Sequence, residues 1–325
     1  MAVATSFALP NYSGMLFVKG KHRTPFSTLI GARPMQTNHV EFAVGQTYDA
    51  PIGSQPEISE TASLTAPEPS FVTRTQNTNV TQIFQETVAV SYGKMSNMGT
   101  LSGLNAANQE ANPADELAFQ IARTMEKIAM QVEYTLINGV YVKANADNVA
   151  NKTRGILAAI PASNTIDLQS TPQAPVALTY DTVAEALALI HDQGGDTTDI
   201  ILGVNATTLL QLNWDARKNN MTIVPASRNV NGLAIDTVIT ALGTVAVTLI
   251  DSLPDGTALL FNPNVCAPVF QPVPEKGNFF LEPLAKTGAA DKYQIFGQLG
   301  LDHGPSFYHA KITGITTKKP SELSE

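Results

Sequence analysis

Leu117, Ile121, Met125, Ile128, Val132 and Leu136 recur three and four positions apart, while Glu116, Gln120, Arg123, Lys127 and Gln131 form a separate polar stripe. That spacing predicts an amphipathic helix. Asn112 suits the cap, Pro113 the first helical position and Gly139 the stop, and Asp115 puts a carboxylate in the first turn. A helix over 112–139 would be roughly 40 Å long, well above the usual globular mean. Taken alone, it reads as an ordinary long core helix.

Beyond 152–160 the texture changes. Asp181 can cap a second helix with Val183, Leu187 and Ile190 on one face, ended by Gly194 and Gly195. Residues 199–204 read as a short buried strand and 206–218 as a third helix carrying Trp214. Strands follow around 221–224, 245–250 and 258–261. This alternation predicts a compact α/β lobe over about 161–261. Residues 262–325 read mainly as strands, at 267–272, 279–281, 293–297 and 307–315.

Ahead of the long helix, Val40, Phe42 and Val44 alternate with polar residues, as do Val88, Val90 and Tyr92, so both read as strands. Between them lies a stretch with Pro51, Pro56, Pro67 and Pro69, rich in Ser, Thr, Gln and Asn. A loop that long without its own core is uncommon in a compact domain. Ile52, Ile58, Leu64 and Phe71 would have no home in an isolated monomer, which predicts a two-stranded arm that finds its partner on another subunit. Residues 1–38 carry Lys19, Lys21, Arg23 and Arg33 and no acid. Phe7, Leu9, Tyr12, Met15, Leu16, Phe17, Val18, Phe26, Leu29 and Ile30 make the segment too apolar for a solvated tail. It reads as an extended arm that packs on something.

Composition narrows the chemistry. A net charge of −8 over 325 residues argues against a dedicated nucleic-acid binder, which would usually be basic. Cys266 is the only cysteine, so there is no disulfide framework. No apolar run approaches the roughly 20 residues that span a bilayer. Lys19, Lys21 and Arg23 follow the apolar start, the reverse of signal-peptide order. The motifs GxxxxGK[ST], HExxH and GxSxG are missing. His303 and His309 near Asp302 are a weak metal pattern, read as satisfied histidines. Asp181, Asp192, Asp196 and Asp199 lack an EF-hand spacing and read as residues that solvate and cap helix ends. The sequence offers no catalytic, cofactor or metal site.

The order of parts carries a resemblance. A basic, partly apolar arm precedes a long loop framed by strands. A long helix opened by Asn112-Pro113-Ala114-Asp115-Glu116 follows, then a helix-and-strand lobe. The end is strand-rich, with YQIFGQLGL at 293–301 and HAKITGI at 309–315. This resembles the major capsid proteins of tailed bacteriophages, and Thr153-Arg154-Gly155-Ile156-Leu157 looks like the small Gly-Ile-Leu turn of that family. The resemblance implies an α+β, Hong Kong 97-like fold. Its parts would be an N-arm at 1–38, an E-loop at 39–92 and a peripheral domain at 93–160 with the spine helix at 113–139. An axial domain at 161–261 and returning strands at 262–325 would complete it.

The implied function is a non-enzymatic shell subunit without cofactors, forming hexamers and pentamers around double-stranded DNA held without sequence-specific contacts. It would reside in the virion capsid after assembly in the host cytoplasm, with no membrane partner. Phe17, Arg23, Tyr48, Ile52, Glu57, Glu60, Leu64, Phe71 and Arg74 would make inter-subunit contacts. A fused scaffold is not expected, and Met1 favours a separate scaffolding protein over a removed prodomain; portal and decoration proteins are further partner classes. Some relatives join an E-loop lysine to a neighbour's asparagine, but 45–93 holds no lysine, so no covalent cross-link is expected. Two alternatives stay open. One is an oligomeric enzyme or ligand-binding protein built on the α/β lobe, and the other an encapsulin-like compartment.

Overall fold

The computed structural model describes residues 23–50, 53, 55–66, 69, 71–96, 116–169, 176–218, 228–230, 233–240, 242–319 and 322. The long helix is α3 (Glu116–Asn138), after α1 (Pro25–Ile30) and α2 (Tyr92–Ser96). Its expected cap and first turn, 112–115, lie outside the described residues. Ile128 and Leu136 of the apolar stripe are buried, but Met125 is exposed.

Gly139 ends the helix by a different route from the expected left-handed stop. A Cβ there would sit 2.5 Å from the carbonyl oxygens of Thr135 and Thr153. The Gly155 N–H donates to the Gly139 carbonyl at 2.8 Å. Two glycines thus let the chain after the helix pass against the helix end, immediately before α4 (Ile156–Ala159).

Under α3 lies a five-stranded sheet: β1 (Met35–Gln36), β4 (Gln82–Ser91), β11 (Ala267–Phe270), β12 (Phe279–Pro283) and β13 (Ala290–Asp302). β13 pairs with β4 along 290–299, with β12 along 293–297 and with β11 along 299–302. This corrects the strand at Val88, Val90 and Tyr92. Val88 and Val90 belong to β4 in the body, because their apolar face lies against the core, whereas Tyr92 has already turned into α2.

The arm itself is β2 (Glu41–Tyr48) paired antiparallel with β3 (Arg74–Val80). β3 reads RTQNTNV, with too little apolar alternation to be seen in the sequence.

The second sheet has the order β5-β14-β10-β6-β9-β8-β7: β5 (Thr165–Asp167), β14 (Ala310–Thr313), β10 (Ala258–Phe261), β6 (Ile201–Val204), β9 (Gly243–Leu249), β8 (Leu233–Thr240) and β7 (Arg228–Val230). Alternate residues of its central strands face different cores. Ile201, Leu259 and Phe261 pack toward α1 and α3, whereas Leu202, Val204 and Leu260 pack toward α5 (Tyr180–Asp192) and α6 (Ala206–Lys218). The lobe therefore draws β14 from the C-terminal strands to complete its sheet. A 3-10 turn at Ser306–Tyr308 occupies the start of the strand expected at 307–315. The strand expected at 221–224 lies outside the described residues.

The cap of α5 is Thr179, two residues earlier than the sequence suggested, and its hydroxyl oxygen accepts from the Thr182 N–H at 3.3 Å. Asp181 sits in the first turn, and Gly194 ends the helix at φ +81°.

Candidate assembly surfaces

The segment from Arg23 is anchored, not free. Glu133 lies on the apolar side of α3 and is fully buried. Its two carboxylate oxygens accept from the Phe26 and Ser27 backbone N–H groups at 2.9 and 2.7 Å. These are orphan donors at the start of α1, so the side chain of one helix caps another. Burial raises the Glu133 pKa, and the N–H donors oppose that rise. Phe26 packs on Phe261 with ring centroids 5.0 Å apart and the planes tilted by 57°, and Leu29 and Ile30 join the same core. The expectation of a wholly extended arm over 1–38 is therefore corrected for Phe26, Leu29 and Ile30. They recur at helical spacing and find their partners inside their own subunit.

The hairpin is rooted as firmly at its base. Asn79 is buried, and its amide donates to the carbonyls of Leu301 and Arg154 at 2.7 and 3.1 Å. Its oxygen accepts from the Arg154 N–H at 2.8 Å. Lys143 pairs with Glu41 at 2.5 Å, and the hydrogen bond from Lys143 lowers the Glu41 pKa. A bulge between Val44 and Thr47 places Gly45 at φ +57°. A Cβ on Gly45 would sit 2.6 Å from the Gly304 carbonyl oxygen, so only glycine fits both the backbone angle and the space.

Beyond the bulge the hairpin leaves its apolar groups in solvent. Tyr48 is 70% exposed, Leu64 84% and Phe71 88%, with Ile58 and Val72 also exposed. Glu57, Glu60 and Arg74 are exposed on the same projection, and Arg23 is exposed ahead of α1. Phe17 and Ile52 lie outside the described residues. The structure thus brings six of the nine expected contact residues onto one projection. Sequence reading missed Glu133, which holds the anchor, and Asn79, which holds the hairpin base. For Glu133 a signal existed, because an acid four positions from both Ala129 and Ile137 stands within the apolar stripe.

The two flanks of α3 differ. On the β4 side, Glu86 accepts from Lys127 at 2.6 Å and Gln131 at 3.0 Å, and the Lys127 hydrogen bond is the main cause of its lowered pKa. Tyr134 and Ile83 are exposed beside them. On the β12 side an uncharged groove runs along the helix.

His303 and His309 are buried behind the hairpin base. His309 Nε2 lies 2.7 Å from the His303 carbonyl oxygen, and its Nδ1 accepts from the Asn262 N–H at 3.4 Å. Both ring nitrogens of His309 are thereby committed to protein groups, whereas His303 Nε2 is buried without a hydrogen-bond partner among the described residues, which corrects the expectation of a satisfied histidine there. Burial lowers the His309 pKa to about 4 and pushes the Cys266 thiol up. Asp302 Oδ1 is occupied by the Gly304 N–H, and among the described residues no group of three His, Cys, Asp or Glu side chains could hold a metal.

The described residues thus form a long helix on a five-stranded sheet, a projecting hairpin and a second mixed sheet with two helices. The chain aligns with the capsid of cyanophage A-1(L) at TM-score 0.65 and 12% identity, over 96% of this chain and 99% of that one. It aligns with the SrpI encapsulin of Synechococcus elongatus at TM-score 0.61 and 13% identity, over 98% of both chains. The capsid of cyanophage P-SCSP1u gives TM-score 0.57 and 10% identity, over 94% of this chain and 92% of that one. The fold is thus the Hong Kong 97-like fold of viral and compartment shells. No curated protein matches the sequence. The profile of the SU10 major capsid protein family matches residues 2–316, and the chain belongs to that family. It is a structural, non-enzymatic protein of the virion capsid, built to assemble into an oligomeric shell.

Proposed function

We propose that this capsid protein forms hexamers and pentamers of an icosahedral shell around double-stranded DNA, assembled in the host cytoplasm. The observation that carries the reading is the hairpin, rooted through Asn79 and Gly45 yet exposing Leu64 and Phe71. Apolar area of that kind is worth roughly 25 cal/mol per Å² once a neighbour covers it. In this reading 39–92 is the E-loop together with the body strand that follows it, 113–139 contains the spine helix, and 161–261 with β14 forms the axial domain. Tyr48, Ile52, Glu57, Glu60, Leu64, Phe71 and Arg74 contact the neighbouring subunit, and Arg23 lies at the same seam. Portal, scaffolding and decoration proteins are the partner classes that such a shell requires or accepts.

Lysine is missing from 45–93, and the sole cysteine, Cys266, is buried. The subunits are therefore held without covalent links. Electron microscopy of particles made with their co-expressed partners tests the reading, followed by nuclease treatment and a denaturing gel of the boiled particles. Closed shells with five- and six-fold capsomers, protected DNA and a dominant band near 34.6 kDa are expected. Small discrete oligomers under all assembly conditions, or shells filled only with protein, would overturn it.

A further inference from the structure

His303 follows the last residue of β13 and is only 1% exposed. Its Nδ1 lies 2.7 Å from the Gly304 carbonyl oxygen. A carbonyl can only accept, so the neutral ring carries its proton on Nδ1 and leaves Nε2 bare. Nε2 is buried and has no hydrogen-bond partner among the described residues.

The hairpin stands on this same corner. A Cβ on Gly45, in the hairpin bulge, would sit 2.6 Å from the carbonyl oxygen that Nδ1 holds. Two positions before His303, the Leu301 carbonyl accepts from the buried Asn79 amide of β3 at 2.7 Å. His303 thus lies between the two contacts that root the hairpin. A second proton on the ring must go to Nε2. There it makes a full charge and an N–H without an acceptor, both inside the protein.

The surrounding charges do not offset this. Burial is the main cause that holds the His303 pKa below the ordinary histidine range, and Arg154 adds to it. Asp302 and the Gly304 carbonyl oppose the drop, but one Asp302 oxygen is already taken by the Gly304 N–H at 2.9 Å. His309 faces the His303 backbone and adds repulsion when charged. Cys266 stays a neutral thiol, because burial pushes its pKa up. Near the hairpin root, Glu41 is paired with Lys143.

We infer that His303 is an acid-sensitive latch: neutral, it holds the hairpin root closed, and protonated, it leaves its site and frees the hairpin from the end of β13. The latch works within one subunit and does not depend on what covers Leu64 and Phe71. In the opened root the ring meets water and titrates near its ordinary value of 6.5. The open form therefore binds the proton more tightly than the closed one. Its population is lowest above pH 6.5 and rises by up to about tenfold for each pH unit below that, until the closed form is protonated too.

Hydrogen exchange on the full-length, unassembled subunit tests this, at pH 7 and pH 5 with each corrected for the intrinsic exchange rate. Protection in β2 and β3 is expected to fall by about tenfold at pH 5, with these amides exchanging well ahead of β10. An unchanged protection, or exchange in step with β10, overturns the latch. His303→Asn keeps a donor near the Nδ1 position without a titrating ring and should abolish the pH response of the hairpin; a persisting response contradicts the assignment. Arg154→Gln spares the backbone bonds to Asn79 and removes the repelling charge, so it should shrink the response. An equal or larger response in that variant overturns the latch even if His303→Asn does not fold.

Discussion

Residues 23–36 and 53–74 both look like arms in the sequence, yet only the second projects. In the first, Phe26, Leu29 and Ile30 fall on one helical face, and Glu133 waits to accept the N–H groups that the short helix leaves open. In the second, prolines break every regular spacing and the apolar residues are left singly in solvent. Apolar content alone therefore does not mark an inter-subunit element. What marks it is apolar content without a period, held on a base that is itself fully bonded.

The most drastic way to break the contrast is to remove the hairpin tip. Replacing 53–72 by a short Gly-Ser turn should abolish shells while shifting the subunit's unfolding midpoint by less than about 2 °C, since the segment adds almost nothing to either core. Thermal unfolding together with sedimentation checks both halves. A shell-forming deletion variant would remove the hairpin from the assembly argument.

Single truncations sharpen the same point. Phe26→Ala empties a site shared by α1 and β10 and should cost about 3–5 kcal/mol in denaturant titration. Leu64→Ala should stay within about 0.5 kcal/mol for the unassembled subunit. Equal losses would mean that the two segments are not different in kind.

Acid acts on the anchored side. His309 is neutral in the folded chain, with a pKa of about 4 against an ordinary value of 6.5, because it is buried; His303 faces it, and Cys266 Sγ lies 3.8 Å from its Nε2. Between those values the unfolded chain binds the extra proton. The contribution of His309 is therefore complete above pH 6.5 and falls by about 3 kcal/mol as the pH drops through 4. Denaturant midpoints measured from pH 7 to pH 4 should show this slope, and His309→Gln should flatten it. A slope unaffected by that substitution would place the acid sensitivity elsewhere.

A smaller effect is expected at the cap. Glu133→Ala leaves the Phe26 and Ser27 N–H groups without their acceptor and should cost about 2 kcal/mol. Hydrogen exchange should localise the loss to α1, and unchanged protection there would show that the carboxylate is not what holds it.

Much of this was legible beforehand. Helix 206–218 stands at the residues expected for it, and the fully buried strand stands at 258–261, also as expected. The exposed hairpin residues were legible because prolines and polar neighbours denied them a core. The hairpin's return strand was not, because RTQNTNV carries almost no apolar signal and is defined by its partner strand. Glu133 and Asn79 hid for another reason. A buried polar side chain looks like a surface one until its distant backbone partners, 107 and 222 residues away in the chain, are in place.

The account rests on Leu64 and Phe71 being open in the subunit and covered in the shell. Leu64→Cys and Phe71→Cys variants measure this directly, because the one native thiol, Cys266, is buried. Maleimide labelling of free subunits and of assembled particles should give rapid modification of both sites in the first and strong protection in the second. Equally fast labelling in intact shells would contradict the claim that the hairpin is completed by a neighbouring copy.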